Sequence, residues 1–120
     1  MADLPAQIEE LWSRAGELGP SDTDALAVVT EAIELLDSGR ARVAEIDPST
    51  GAVVVHTWLK TAILLLFRLR AITTTEVGDF EFTDKLPLKT GYAEAGVRVV
   101  PGASARWGSF LDRGVILMPS

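Results

Sequence analysis

A chain of 120 residues with 48% apolar side chains can bury the core of one small domain, and this composition excludes a disordered polymer. A net charge of −6 argues against non-specific binding to nucleic acid, although a local arginine in an acidic chain still suits an anionic ligand. With no cysteine there is no disulfide scaffold, thiolate zinc site or cysteine nucleophile, which fits the cytoplasm.

Met1 to Glu10 is acidic and lacks a long apolar core, so no signal peptide is expected there. Ile8, Leu11, Trp12, Ala15 and Leu18 then recur at helical spacing, and Gly19-Pro20 is the expected stop. Ser21 with Asp24 reads as a capping box opening a second helix. Leu26, Val29, Ile33 and Leu36 line one face of that helix, and Gly39 should close it. The two helices are predicted to pair antiparallel.

Ala41 to Ile46 and Ala52 to Thr57 are β-rich and flank Asp47-Pro-Ser-Thr-Gly51, which predicts a hairpin with a five-residue loop. Trp58 to Arg70 reads as a third helix whose centre, Ala62 to Phe67, is apolar on every side and belongs in the core. That run is far too short to span a membrane. Ala71 to Tyr92 shows no sustained periodicity. Phe80 and Phe82 share one side of a short extended piece, and Pro87 interrupts any ladder. The stretch is therefore expected to be an irregular wrap, with a domain boundary near Gly96.

From Val100 the chain divides into sixes: Val100 to Ala105, Arg106 to Leu111, Asp112 to Leu117, then Met118-Pro-Ser120. Gly102, Gly108 and Gly114 recur at a fixed phase, with Ser120 next in register. This pattern suits a left-handed parallel β-helix, whose flat sides are six residues long. One coil buries little alone and requires stacking. The fifth places are Ser104, Phe110 and Ile116, which puts Phe110 inside. Trp107 is expected nearer the surface, against the N-terminal domain or a neighbouring subunit. The fold class is mixed α and β. Residues 1–95 form a small, mostly helical domain with a β-hairpin, and residues 96–120 begin the β-helix.

Arg98 is the first candidate for chemistry. If Val97 and Val99 face inward on a strand, Arg98 faces outward on an ordered element and can grip a carboxylate with a planar fork. It equally suits a solvated strand arginine or a structural ion pair. Lys85 and Lys89 lie on one side of an extended strip, where they contact an anion or simply edge the fold. His56 is the only histidine, so a transition-metal site is not expected; stacking in a core or capping a helix would occupy it. No local catalytic triad or glycine-rich phosphate loop appears.

Seven short segments resemble, in order, the N-terminal part of the tetrahydrodipicolinate N-succinyltransferase family. They are Leu35-Leu-Asp-Ser-Gly39, Arg42-Val-Ala-Glu45, His56-Thr-Trp-Leu-Lys60, Ala62-Ile-Leu-Leu-Leu-Phe-Arg68, Asp84-Lys-Leu-Pro-Leu-Lys89, Gly96-Val-Arg-Val-Val-Pro101 and Val115-Ile-Leu-Met-Pro-Ser120. The resemblance implies a homotrimeric cytoplasmic acyltransferase of lysine and diaminopimelate synthesis, with succinyl-CoA as co-substrate and no tightly bound cofactor. It implies that Arg98 binds a carboxylate of the amino-dicarboxylate substrate. It also implies that the catalytic aspartate and most of the coenzyme A groove lie beyond Ser120, leaving no catalytic residue within this chain and the 120 residues inactive alone. Three features depart from the family pattern: altered stretches between Phe67 and Phe80 and between Lys89 and Gly96, and Pro101-Gly102 where relatives often carry two prolines. The competing expectation is a non-catalytic module that caps a β-helix partner.

Overall fold

A computed structural model of the chain describes residues 3–119, so Met1, Ala2 and the register position Ser120 lie outside the described residues. Three helices build the core: α1 (Leu4–Ser13), α2 (Thr23–Asp37) and α3 (Thr57–Leu69). α3 packs against both of the others. Its buried stripe is Leu59, Ala62, Leu65, Leu66 and Leu69, while α2 contributes Ala25, Val29, Ala32, Ile33 and Leu36. Burying one such leucine contributes about 1.5–3 kcal/mol. The centre of α3, apolar on every side, is not buried on every side: Leu64 is 47% exposed and gives the helix an outer face.

The first stripe is met by a broken helix rather than a continuous one. α1 ends at Ser13, and a single 3₁₀ turn, Ala15–Glu17, carries Leu18 back into the core. Arg68 of α3 donates to the carbonyls of Gly16 and Leu18, each at 3.2 Å, which satisfies backbone that the break frees. The capping box does not form. Asp22, at the N-cap of α2, turns its carboxylate back to the Gly19 amide at 2.6 Å, and no side chain caps the helix. With the N-cap at Asp22, Asp24 falls at the second helical position, out of register for a box with Ser21. Gly39 ends α2 as expected: it has φ +77, and a β-carbon there would stand 2.8 Å from the Phe110 ring.

β1 (Ala44–Ile46) and β2 (Val53–Val55) pair antiparallel around the expected turn. Asp47 organises that turn, accepting from the Ser49 amide at 2.9 Å and the Ser49 hydroxyl at 2.7 Å. These bonds hold its carboxyl below the ordinary aspartate value.

The stretch from Ala71 to Tyr92 is more regular than expected. β3 (Thr73–Val77) and β4 (Phe80–Asp84) form a second antiparallel ribbon, closed by the two-residue loop Gly78-Asp79 with Gly78 at φ +59. β3 is a threonine run ending in Glu76-Val77, only β4 carries an apolar alternation, and both strands are exposed along nearly all of their length. Phe80 and Phe82 do share a side. After the ribbon, the strip from Pro87 to Lys89 runs antiparallel to residues 105–107. The Lys89 amide donates to Ala105 at 2.8 Å, and the Trp107 amide to Pro87 at 2.9 Å.

A short helix, α4 (Tyr92–Ala95), leads into β5 (Arg98–Val99), which pairs with β6 (Ile116–Leu117) in parallel. Arg98 stands opposite Ile116 and Val99 opposite Leu117, an offset of 18 residues. Gly102, Gly108 and Gly114, at the six-residue period, have φ of +95, +103 and +91, a region costly to side-chain-bearing residues. Phe110 corrects the expectation drawn from its hexad place. It turns toward the helical part, with its ring against Gly39 and the Arg42 guanidinium 4.8 Å from its centroid. Trp107 is half-buried and packs on the helical core, as expected of it.

Candidate functional site

Local sequence places Arg98 through simple alternation. Val97 is buried, Arg98 is exposed and Val99 is half-buried. The strand is held on both sides of the arginine: its own amide donates to Val115 at 2.9 Å, and the Val100 amide to Leu117 at 3.0 Å. The Gly114 amide closes the ladder on Gly96 at 2.9 Å. Neighbours in a parallel pair share a face, so Arg98 lies beside Ile116, which is 54% exposed, with Met118 next on the same face at 62%. The Arg98 guanidinium makes no hydrogen bond or ion pair among the described residues. The site is thus a charged, unpaired fork on an ordered strand beside an apolar platform. Such a fork can accept a carboxylate in two-point geometry.

Arg113 was not singled out by sequence. It arches over Gly96, two residues before Arg98, and donates to the Glu94 carbonyl at 3.3 Å. A β-carbon at position 96 would stand 2.5 Å from its terminal nitrogen and 2.9 Å from its Cγ, so the side chain would have to shift, and the φ of +73 at Gly96 itself favours glycine.

The other candidates have structural partners. Lys85 Nζ donates to the Phe67 carbonyl at 2.6 Å, near the C-terminus of α3. Lys89 Nζ meets Asp37 at the C-terminus of α2, donating to its carbonyl at 3.1 Å and to its carboxylate at 2.7 Å. Cations favour helix C-termini, so both lysines cap helices along the edge of the fold. His56 is the N-cap residue of α3 without a side-chain capping bond, and its Nε2 stands 3.2 Å from Glu45. Among the described residues no group of three or more histidine, aspartate or glutamate side chains is placed to hold a metal ion.

Asp37 is the residue that sequence reasoning missed. Its Oδ1 accepts from both Lys89 and the Gly108 amide, the latter at 2.9 Å. That atom ties the end of α2 to the strip before α4 and to the segment between β5 and β6. Its one visible signal is its place in Leu35-Leu-Asp-Ser-Gly39, at a helix end where an acid is otherwise unfavourable.

The family pattern described as "Tetrahydrodipicolinate N-succinyltransferase N-terminal" matches residues 3–69. The chain belongs to this family. Three 2,3,4,5-tetrahydropyridine-2,6-dicarboxylate N-succinyltransferases illustrate the similarity. The protein of Pseudoalteromonas translucida is 43% identical over 128 aligned residues, and that of Aeromonas hydrophila 44% over 128; each alignment takes in 100% of this chain. The protein of Dechloromonas aromatica is 44% identical over 124 residues, covering 98% of this chain. The chain spans only 45–46% of the length of these relatives. No helix among the described residues is long and apolar enough to cross a membrane.

Proposed function

We propose that the chain forms the N-terminal part of a succinyltransferase subunit, and that Arg98 holds one carboxylate of its amino-dicarboxylate substrate. The carrying observation is Arg98 itself: without a side-chain partner among the described residues, exposed, and fixed on a strand laddered to a second strand 18 residues later. Three six-residue sides make one turn of a left-handed β-helix. The offset of 18, with positive-φ glycines at every sixth place, supports reading residues 96–120 as its first coil and residues 1–95 as the preceding domain.

In this reading the complete protein is a cytoplasmic homotrimer of lysine and diaminopimelate biosynthesis. It transfers the succinyl group of succinyl-CoA to tetrahydrodipicolinate. Water first adds across the ring imine to give an amine; its nitrogen attacks the thioester carbonyl, the carbon–sulfur bond breaks, coenzyme A leaves as its thiol, and a base takes the proton from nitrogen. Arg98 binds and orients the acceptor. The base and most coenzyme A contacts belong to chain beyond these residues.

Steady-state kinetics on the full-length protein, varying each substrate, test this role. Arg98→Ala is expected to lose about 2–4 kcal/mol of dicarboxylate binding, with KM for succinyl-CoA far less changed. Arg98→Lys keeps the charge but loses the fork, and should fall between. Unchanged dicarboxylate kinetics in a correctly assembled Arg98→Ala protein would remove Arg98 from the site.

A further inference from the structure

A cleft of about 420 Å³ opens between the β3–β4 ribbon and the strips at residues 86–88 and 104–106. Arg98 does not line it. The strand register puts Thr73, Thr75, Phe82 and Asp84 on one ribbon face, and these residues line the cleft. Leu86 and Leu88 form the apolar part of the opposite wall. Two arginines contribute charge. Arg106 is neutralised by Asp84, with Nε at 3.0 Å and a terminal nitrogen at 2.8 Å from the same carboxylate oxygen.

Arg70 is different. Its Nε donates to the Lys85 carbonyl at 2.6 Å, and its guanidinium carbon stands 5.8 Å from the Trp107 ring centroid. Those two contacts hold the half-buried side chain in place. Its terminal N–H groups have no acceptor among the described residues. Arg70 also lines a second cleft of about 280 Å³, which shares Pro87 and Leu88 with the first. An oriented guanidinium with unused donors, in a concavity with apolar walls and hydroxyls, is an anion site.

We propose that this cleft binds a small organic carboxylate with a short apolar body. Arg70 grips the carboxylate, and Phe82, Leu86 and Leu88 cover the body. One uncompensated guanidinium between apolar walls matches a single negative charge better than a multiply charged phosphate. The site is separate from Arg98 and does not depend on the reading of that residue.

Sodium hexanoate titrated into the ¹⁵N-labelled 120-residue chain, followed by amide and indole shifts, provides the test. Saturable shifts are expected at Thr75, Phe82, Leu88 and the Trp107 indole, with inorganic phosphate at equal concentration leaving them in place. Arg70→Gln should weaken binding about tenfold or more, the loss expected for charge-assisted hydrogen bonds. Phe82→Glu, at a side chain already 44% exposed, should do the same by repulsion without disturbing the core, and decides the matter if Arg70→Gln fails to fold. Arg98→Gln should leave hexanoate binding unchanged. Absence of saturable shifts, equal affinity in Arg70→Gln or Phe82→Glu, loss of binding in Arg98→Gln, or an equal response to phosphate would each overturn the proposal.

Discussion

Residues 4–69 and residues 71–119 are built on different physical terms. Among the described residues, every buried hydrophobic side chain except Val97 falls between Ile8 and Leu69. The second half has strands but almost no interior of its own. It is held on the first half by the aromatic contacts of Trp107 and Phe110, by the Lys85 bond to the Phe67 carbonyl, and by the bonds that Asp37 accepts from Lys89 and the Gly108 amide. Hydrophobic burial therefore fixes the scaffold, and directional polar contacts fix where the scaffold presents Arg98. The division suits a site-bearing segment, because strands without a core depend on neighbours for their order.

The largest test of this contrast lies in α3. Leu65→Ala or Leu66→Ala removes a side chain that is at most 1% exposed, and each should cost about 2–5 kcal/mol in denaturant unfolding. Near-native stability in both would mean that α3 is peripheral and the contrast false. Next comes the polar tie. Asp37→Ala leaves the Lys89 ammonium, only 13% exposed, with the residue-37 carbonyl as its sole remaining partner among the described residues, and frees the Gly108 amide. The expected cost is about 1–3 kcal/mol, with faster amide exchange concentrated at residues 105–109 rather than in α3. A uniform change across both halves would show that Asp37 is part of the core and not a tie.

The smallest effect is in the β1–β2 turn. The Ser49 bonds lower the Asp47 carboxyl below its ordinary value, so ionised Asp47 favours the folded turn. A depressed folded value means that its contribution is complete above the ordinary aspartate range and is lost as pH falls through the lowered value. Asp47→Asn should flatten that acid-side loss slightly and leave stability above it independent of pH. A thermal unfolding series across the acid range checks the sign; an effect appearing at neutral pH would contradict it.

Helical periodicity was the most legible signal, because Val29, Ile33 and Leu36 or Leu59, Ala62 and Leu66 can share a face only on a helix. The alternation of Val97, Arg98 and Val99 likewise placed the arginine correctly from its immediate neighbours. The β3–β4 ribbon was hidden because neither of its faces is buried, although Gly78-Asp79 between the threonine run Thr73 to Thr75 and the Phe80-Glu81-Phe82 alternation was a usable turn signal. The hexad phase put Phe110 inside, since a local period carries no information about Gly39 waiting beside it. The Asp37 tie was beyond local reading: its partners Lys89 and Gly108 lie 52 and 71 positions away. Periodic burial is written locally, whereas docking contacts depend on which distant segments the fold brings together.

Native-state amide exchange on the 120-residue chain tests the central contrast most directly. The amides of Leu65, Leu66 and Leu69 should exchange only through global unfolding. Those of Arg98, Val100 and Gly114, though hydrogen-bonded, should exchange through a smaller, local opening of the docked half. Equal protection of the two sets, tracking global stability together across a denaturant series, would contradict the account and make the chain a single cooperative unit.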